Sequence, residues 1–106
     1  MGQSNGKQHS HYSLGSAGIA TAQLEEILAA ATAAGTQDAE IAAMTEIMAI
    51  LRSEPKHFGE PLYHLRSMGM TIRCAVILPL YVEYGVHEEQ PVVVIRRVLY
   101  LTAGAA

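Results

Sequence analysis

The chain has 106 residues, of which 50% are hydrophobic and 16% are charged, and its formal net charge at pH 7 is −3. This length supports one domain with one hydrophobic core, and the composition excludes wholesale disorder. Proteins that bind nucleic acid mainly by neutralising phosphates carry a basic surplus, so the acidic balance argues against general DNA or RNA binding.

The N-terminal residues are polar and predict a flexible tail over residues 1–9, followed by a single domain over residues 10–106. His9 and His11 are interpreted as ordinary residues of this region rather than as metal ligands. We recognise no secretory signal, and no apolar stretch approaches the roughly 20 residues that a membrane-spanning helix needs. A cytoplasmic location is therefore expected.

The single cysteine, Cys74, cannot form an intrachain disulfide, which fits a reducing compartment. Its position in an apolar run predicts an inert, buried thiol. No Cys/His spacing resembles a zinc site, so we expect neither a metal nor a cofactor.

A short first strand is predicted in "HYSLGS", residues 11–16, and an amphipathic helix follows in residues 17–35. The apolar residues of that helix recur at the i, i+3, i+4, i+7 spacing of one helical face, namely Leu24, Ile27, Leu28 and Ala31. Gly35 is placed to end the helix.

A second helix is predicted in residues 39–54, with Thr36 or Asp38 as its side-chain cap and Pro55 as its end. Its expected core stripe is Ile41, Met44, Met48 and Leu51, with Ile47 beside it. Because few residues join the two helices, they should form an antiparallel hairpin.

After Gly69 the hydrophobic period changes from 3.6 to 2, which predicts strands at about 71–78, 80–87 and 92–101. The element order is then β-α-α-β-β-β. This order predicts an α+β fold in which the helical hairpin packs on one face of a small, mainly antiparallel sheet.

The second face of such a sheet would remain uncovered by helices. Strict alternation assigns to the core Ile72, Cys74, Val76, Leu78, Val82, Tyr84, Val86, Val93, Ile95, Leu99 and Leu101. It assigns to the uncovered face, as a partner-binding surface, Arg73, Tyr81, Glu83, His87, Arg96 and Tyr100. One bulge would reverse the last strand. A cross-strand pair between Arg73 and Glu83 is the alternative account.

The segment between the helices and the sheet is interpreted as a loop. In it, His57 and His64 flank "FGEPLY" and form a loose set with Glu60, which would suit proton transfer or metal binding only if the three side chains converge. Arg66 is expected to pin the loop structurally, through backbone carbonyl groups or through Glu60. A nucleophile pair of Cys74 and His87 is rejected, because alternation places them on opposite faces.

Three segments together resemble the RelE/ParE superfamily of small bacterial toxins, which includes plasmid-stabilisation proteins of type II toxin–antitoxin systems. They are "SEPKHFGEPLYHLR" (Ser53 to Arg66), "LYVEYGV" (Leu80 to Val86) and "VVVIRRVLY" (Val92 to Tyr100). The resemblance covers roughly residues 10–101. It implies a compact toxin-like fold and an antitoxin that wraps the toxin with an extended or helical segment.

The resemblance implies one of two activities. RelE-like members cut messenger RNA on the ribosome with a Lys/Arg cluster and a C-terminal Arg and Tyr, whereas ParE-like members lack that cluster and inhibit DNA gyrase. In this chain Arg73 stands at one catalytic basic position, but Ala75 stands at the next and Tyr81 stands where an arginine is expected. The chain is also acidic, its first helix lacks the usual basic residues, and residues 102–106, "TAGAA", contain no basic residue where the resemblance leads us to expect a basic segment.

The expected function is therefore a toxin-like protein that binds a gyrase-type or translation-related target and is neutralised by an antitoxin. One alternative is a non-toxic, homo-oligomeric interaction module of the same fold. Another is a ribosome-dependent endonuclease, for which the candidate residues are Arg73, Tyr81, His87 and Arg96. Cleavage by attack of a 2′-hydroxyl needs an acid or base and cationic stabilisation of the phosphorane.

Overall fold

A computed structural model describes residues 11–101 and shows an α+β fold. Its elements are β1 (Ser13–Ser16), α1 (Gly18–Ala34), α2 (Gln37–Ser53), β2 (Glu60–Leu65), a 3₁₀ turn (Arg66–Met68), β3 (Met70–Ile77), β4 (Leu80–His87) and β5 (Val92–Tyr100). The predicted tail over residues 1–9, including His9, lies outside the described residues.

The strands form one five-stranded sheet in the order β1-β5-β4-β3-β2. β1 runs parallel to β5, and the other neighbouring strands are antiparallel. The predicted first strand, helical hairpin and three-stranded meander are confirmed.

β2 is an additional strand in the segment that was interpreted as a loop. It is an edge strand whose side chains are exposed except for the half-buried Leu65, so it carries no alternation of buried and exposed residues. A register shift between Pro61 and Tyr63 further interrupts the period. Proline is tolerated at a sheet edge because its missing N–H need not face a neighbouring strand.

The helix ends follow the sequence only in part. Gly35 ends α1 with a φ of 78°, and the N–H of Thr36 bonds to the carbonyl of Ala31. Glycine adopts this left-handed conformation without a Cβ penalty. Thr36 is the N-terminal cap residue of α2, but its side chain makes no capping hydrogen bond, and Asp38 lies within the first turn. The predicted side-chain cap is therefore wrong.

The buried face of α2 is rotated from the predicted stripe. Its buried residues are Glu40, Ala43, Met44, Ile47 and Leu51. Ile41 is 49% exposed, so its assignment to the core is wrong. The sequence offered two overlapping stripes one residue apart, and contact with the sheet selected the one that includes Ala43 and Glu40.

The hydrophobic core lies between the helical hairpin and one face of the sheet. The helices contribute Ala20, Ala43, Met44, Ile47 and Leu51, and strands β3–β5 contribute Ala75, Leu80, Val82, Tyr84, Val86, Val93, Ile95 and Val98. Leu24, Ile27 and Met48 pack against this core at its margin.

The opposite face of β3, β4 and β5 is called the outer face. It comprises Met70, Ile72, Cys74, Val76, Tyr81, Glu83, Gly85, His87, Val94, Arg97 and Leu99. Directly opposed residues of antiparallel strands point to the same face, and the register opposes Ile72 to Gly85 and Cys74 to Glu83. Met70 and Ile72 are buried there. Gly85 has no side chain, and the side chains of Met70 and Ile72 occupy the space that a Cβ at Gly85 would need.

The predicted faces of β3 are therefore wrong. Ile72, Cys74 and Val76 lie on the outer face, whereas Arg73 opposes the core residue Tyr84 on the helix side. Both residue sets of β3 contain apolar side chains, so alternation alone could not choose between them. Leu78, also assigned to the core, lies in the β3–β4 turn and is 72% exposed.

The faces of β5 reverse at a bulge. Tyr84 opposes Ile95 and Glu83 opposes Arg97, which leaves Arg96 as the extra residue. Beyond this point Val98 enters the core and Leu99 lies on the outer face, so the predicted assignment of the strand's second half is wrong.

Candidate functional site

A polar network occupies the middle of the outer face. The hydroxyl of Tyr81 donates a hydrogen bond of 2.8 Å to Oε2 of Glu83, and Nη1 of Arg97 lies 3.4 Å from the same oxygen. Burial and the adjacent Glu83 raise the pKa of Tyr81 far above its usual range, so its hydroxyl stays a hydrogen-bond donor at neutral pH. Glu83 is thus paired within the outer face, with Arg97 rather than with the predicted Arg73.

Apolar side chains surround this network. Val76 is 49% exposed, and the partly buried Cys74, Val94 and Leu99 lie on the same face. The helices pack on the opposite face, and none of residues 11–101 forms a layer over this one. Its composition, apolar with one charge pair, is typical of a protein-binding surface.

Arg73 holds the segment between α2 and β2 against the helix side of the sheet. Its Nε donates to the carbonyl of Phe58 (3.0 Å), and its Nη2 donates to the carbonyl of Gly59 (3.1 Å). The predicted place of Arg73 in a partner-binding face is therefore wrong, because its guanidinium is used inside the protein.

Tyr84, on the helix side of β4, also contacts the segment between α2 and β2. Its hydroxyl donates to the carbonyl of Phe58 and lies 3.3 Å from the carbonyl of Pro55, while its ring stacks on that of Phe58 at a centroid distance of 6.0 Å. Burial raises the pKa of Tyr84, although the nearby Arg73 partly opposes this shift. The hydroxyl therefore keeps the proton that these contacts require.

Arg66 and Glu60 do not perform the predicted anchoring. Arg66 lies exposed in the 3₁₀ turn, and within residues 11–101 its side chain makes no hydrogen bond or ion pair. Glu60 is exposed at the start of β2, opposite Cys74. Because the segment after Glu60 pairs with β3, Arg73 is the cation that lies beneath the loop.

Three other residues that were predicted to share the partner-binding face do not lie together in the structure. Arg96 is the bulge residue, and Tyr100 opposes Leu80 on the helix side, so its assignment to the uncovered face is wrong. His87 is on the outer face, but its Nδ1 accepts hydrogen bonds from the backbone N–H groups of Glu89 (3.1 Å) and Gln90 (2.9 Å). Its ring therefore stabilises the β4–β5 turn.

Cys74 and His87 lie on the same face, which corrects the reason for rejecting them as a pair. In the β3–β4 ladder Cys74 opposes Glu83 and Met70 opposes His87, so the two residues are four positions apart. At roughly 3.3 Å per position, about 13 Å separates them along the strand. Distance excludes the pair. The thiol is also partly exposed rather than buried.

A small polar pocket lies on the helix side near β2. Its volume is about 240 Å³, and it is lined by Lys56, Thr71, Arg73, Val86 and Glu88. At its margin Nδ1 of His64 lies 2.8 Å from Oε2 of Glu88 and 3.3 Å from Oγ1 of Thr71. The pocket therefore places Lys56 and Arg73 near His64, whose ring is oriented by the carboxylate of Glu88.

This pocket replaces the set of His57, His64 and Glu60 that the sequence suggested. Of these three residues only His64 lies at its margin, and the carboxylate partner of His64 is Glu88, the residue that follows β4. Pairing of β2 with β3 places His64 opposite Thr71. A prediction of β2 as a strand would have been the signal that reveals this neighbourhood.

Residues 11–101 contain no group of three or more His, Cys, Asp or Glu side chains arranged to hold a metal ion. Neither α1 nor α2, nor any other helical segment of these residues, has the length and hydrophobicity of a membrane-spanning helix. No family model matches the chain, and no curated protein or solved structure shows significant similarity to it. The structure establishes the α+β class, and membership of the RelE/ParE superfamily stays a prediction.

Proposed function

We propose that this protein is a toxin-like component of a bacterial type II toxin–antitoxin system that acts by binding a cellular target. The observation that carries the proposal is the uncovered, largely apolar outer face of a sheet whose other face is covered by the helical hairpin. Exposed apolar sheet surface in a small domain is a favourable place for another chain to bind. An antitoxin neutralises the protein by covering the same face.

The chemistry of the outer face favours a polypeptide partner. Its central charges, Glu83 and Arg97, are already paired with each other, so the rest of the contact surface is largely apolar. The neighbouring edge strand β2 exposes Leu62 (46%) and Tyr63 (50%) and pairs only with β3 on its other side. An extended segment that adds to this edge reaches onto the outer face.

The distribution of cations favours binding over cleavage on this face. Arg73 and Lys56 line the pocket on the helix side, and Arg97 is paired with Glu83. RNA cleavage needs cationic stabilisation of the phosphorane, which the outer face does not supply from an unpaired arginine or lysine of the described residues. The proposed targets, gyrase or a component of the translation machinery, are those that the resemblance to the RelE/ParE superfamily implies.

A matched pair of substitutions tests this proposal. Val76→Glu places a charge on the outer face, and Ile41→Glu places one on α2, at side chains that are both 49% exposed. We expect Val76→Glu to raise the concentration for half-inhibition at least ten-fold, about 1.4 kcal/mol, because a charge must be desolvated at the contact. We expect less than a two-fold change for Ile41→Glu. The assays are bacterial cell-free translation and DNA supercoiling by gyrase.

Inhibition of neither reaction by the native protein would contradict a gyrase or translation target. Equal potency of the two variants would instead show that the target does not bind at the outer face. In the first case sedimentation equilibrium decides whether the face joins copies of this chain. Dissociation by Val76→Glu alone would then favour the homo-oligomeric interaction module.

The polar pocket supports a second candidate function, cleavage of messenger RNA. His64 is oriented through Nδ1, and within residues 11–101 its Nε2 has no hydrogen-bond partner. Nε2 could accept the proton of a 2′-hydroxyl while that oxygen bonds to phosphorus. The bond to the 5′-oxygen then breaks, water protonates that oxygen, and the products are a 2′,3′-cyclic phosphate and a 5′-hydroxyl. Lys56 and Arg73 supply positive charge beside the phosphorane.

His64→Gln tests this second candidate, with His57→Gln as its control. Both histidines are exposed, but only His64 is paired with Glu88. Loss of a general base lowers the cleavage rate by roughly 10²-fold or more, so His64→Gln should abolish messenger-RNA fragments and His57→Gln should not. Fragments are detected by primer extension on ribosome-bound messenger RNA. Their absence with the native protein would rule out this function under those conditions.

A further inference from the structure

A second cavity lies on the helix side of the sheet, and its lining residues differ in chemical character from those of the polar pocket. Its volume is about 460 Å³, within the usual size range of small-molecule sites, roughly 300–1,000 Å³. α1, the start of α2 and the end of β5 form its walls, which are Glu26, Ile27, Ala30, Ala31, Ala34, Thr36, Glu40 and Tyr100. Ile27 and the three alanines form an aliphatic part of the wall, so the cavity suits an aliphatic body.

Glu40 is the unusual residue of this wall. It is 1% exposed, and its Oε1 is buried without a hydrogen-bond partner in the described part of the chain. A buried carboxyl oxygen without a donor loses the hydrogen bonds that water would give it. Glu40 lies in the first turn of α2, but no backbone N–H of that turn donates to Oε1. The residue therefore lacks a partner that a ligand can provide.

The charges of the wall define that ligand. Its two ionisable carboxyl groups, Glu40 and the exposed Glu26, are acidic, and no Lys, Arg or His lines the cavity. Tyr100 adds an aromatic ring that is 46% exposed, and such rings attract organic cations. A cationic head with an aliphatic body complements all of these features.

We propose that this cavity is a binding site for a small aliphatic primary amine, whose ammonium group donates to the carboxylate of Glu40. The side chain of Glu40 lines this cavity, and Oε1 is its carboxyl oxygen without a hydrogen-bond partner in the described part of the chain. The aliphatic chain of the ligand then lies against Ile27 and the alanines of α1. The site is independent of the outer face, which is on the opposite side of the sheet.

Titration calorimetry with pentylamine tests the site, with pentanoate and pentanol as probes of equal chain length and different charge. We expect saturable one-to-one binding of pentylamine, and binding of the other two at least ten-fold weaker. Glu40→Gln should weaken pentylamine binding at least ten-fold, whereas Glu46→Gln, on the exposed side of α2, should not change it. Circular dichroism checks that both variants are folded.

Absence of pentylamine binding to the native protein would overturn the site. Equal binding of pentanol would show an apolar cavity in which Glu40 recognises no charge, and would overturn the choice of ligand. These two outcomes need only the native protein, so they remain decisive even if Glu40→Gln fails to fold.

Discussion

Substitution of Gly59 by alanine is expected to lower the free energy of unfolding by about 3 kcal/mol or more. Gly59 has a φ of 67°, which costs a residue with a Cβ about 1–2 kcal/mol. An added Cβ would also collide with the backbone carbonyl of Cys74 and would lie 2.8 Å from Cβ of Ala75. Since neither is the end of a flexible side chain, the loop must move, and the hydrogen bond from Arg73 to Gly59 is lost.

Gly35→Ala is the matched control for this prediction. Gly35 also has a positive φ, 78°, but a Cβ there meets no atom of the described residues within 4 Å. It should cost only the conformational term, about 1 kcal/mol. Urea unfolding followed by circular dichroism measures both. Equal losses for the two variants would show that the close approach of Gly59 to β3 contributes nothing to stability.

Arg73→Ala is expected to lower the free energy of unfolding by about 2–3 kcal/mol, because it removes both hydrogen bonds from its guanidinium to the loop carbonyls. Hydrogen bonds from a charged donor are worth about 1.5–3 kcal/mol each, and water partly replaces the more exposed one. The carbonyl of Phe58 keeps its bond from Tyr84, which limits the loss.

Arg66→Ala is the control that separates the two arginines. Arg66 is exposed, and its side chain makes no hydrogen bond or ion pair within residues 11–101, so its removal should change stability by less than about 0.5 kcal/mol. Urea unfolding again gives both values. If Arg66→Ala cost as much as Arg73→Ala, the assignment of Arg73 as the anchor of the loop would be wrong.

The sequence predicted the fold class because its strongest signals are local. The helical spacing of Leu24 and Ile27, the stop at Gly35 and the turn at Pro79 depend only on nearby residues, and the elements that they define are present. β2 was missed because an exposed edge strand has no buried face and therefore no alternation. Its formation depends on pairing with β3, which is a non-local interaction.

The candidate site could be predicted only in part. Strand alternation divides the residues of a strand into two sets, but it does not show which set faces the helices. In β3 that choice depends on Gly85, whose missing side chain admits Met70 and Ile72 to the outer face. In β5 it depends on the bulge at Arg96. Tyr81 and Glu83 were placed correctly because β4 is regular and strongly apolar on its core side. Arg73 and Tyr100 were misplaced by those two non-local features.

We propose that the outer face carries a toxic contact with a cellular target. The most direct measurement is growth of a bacterial host after induction of the native protein, Val76→Glu or Ile41→Glu, at equal soluble amounts. Arg73 is unsuitable for this test because it anchors a loop. We expect arrest by the native protein and by Ile41→Glu, and growth with Val76→Glu. Normal growth with abundant native protein, or arrest by Val76→Glu as strong as that by the native protein, would contradict it.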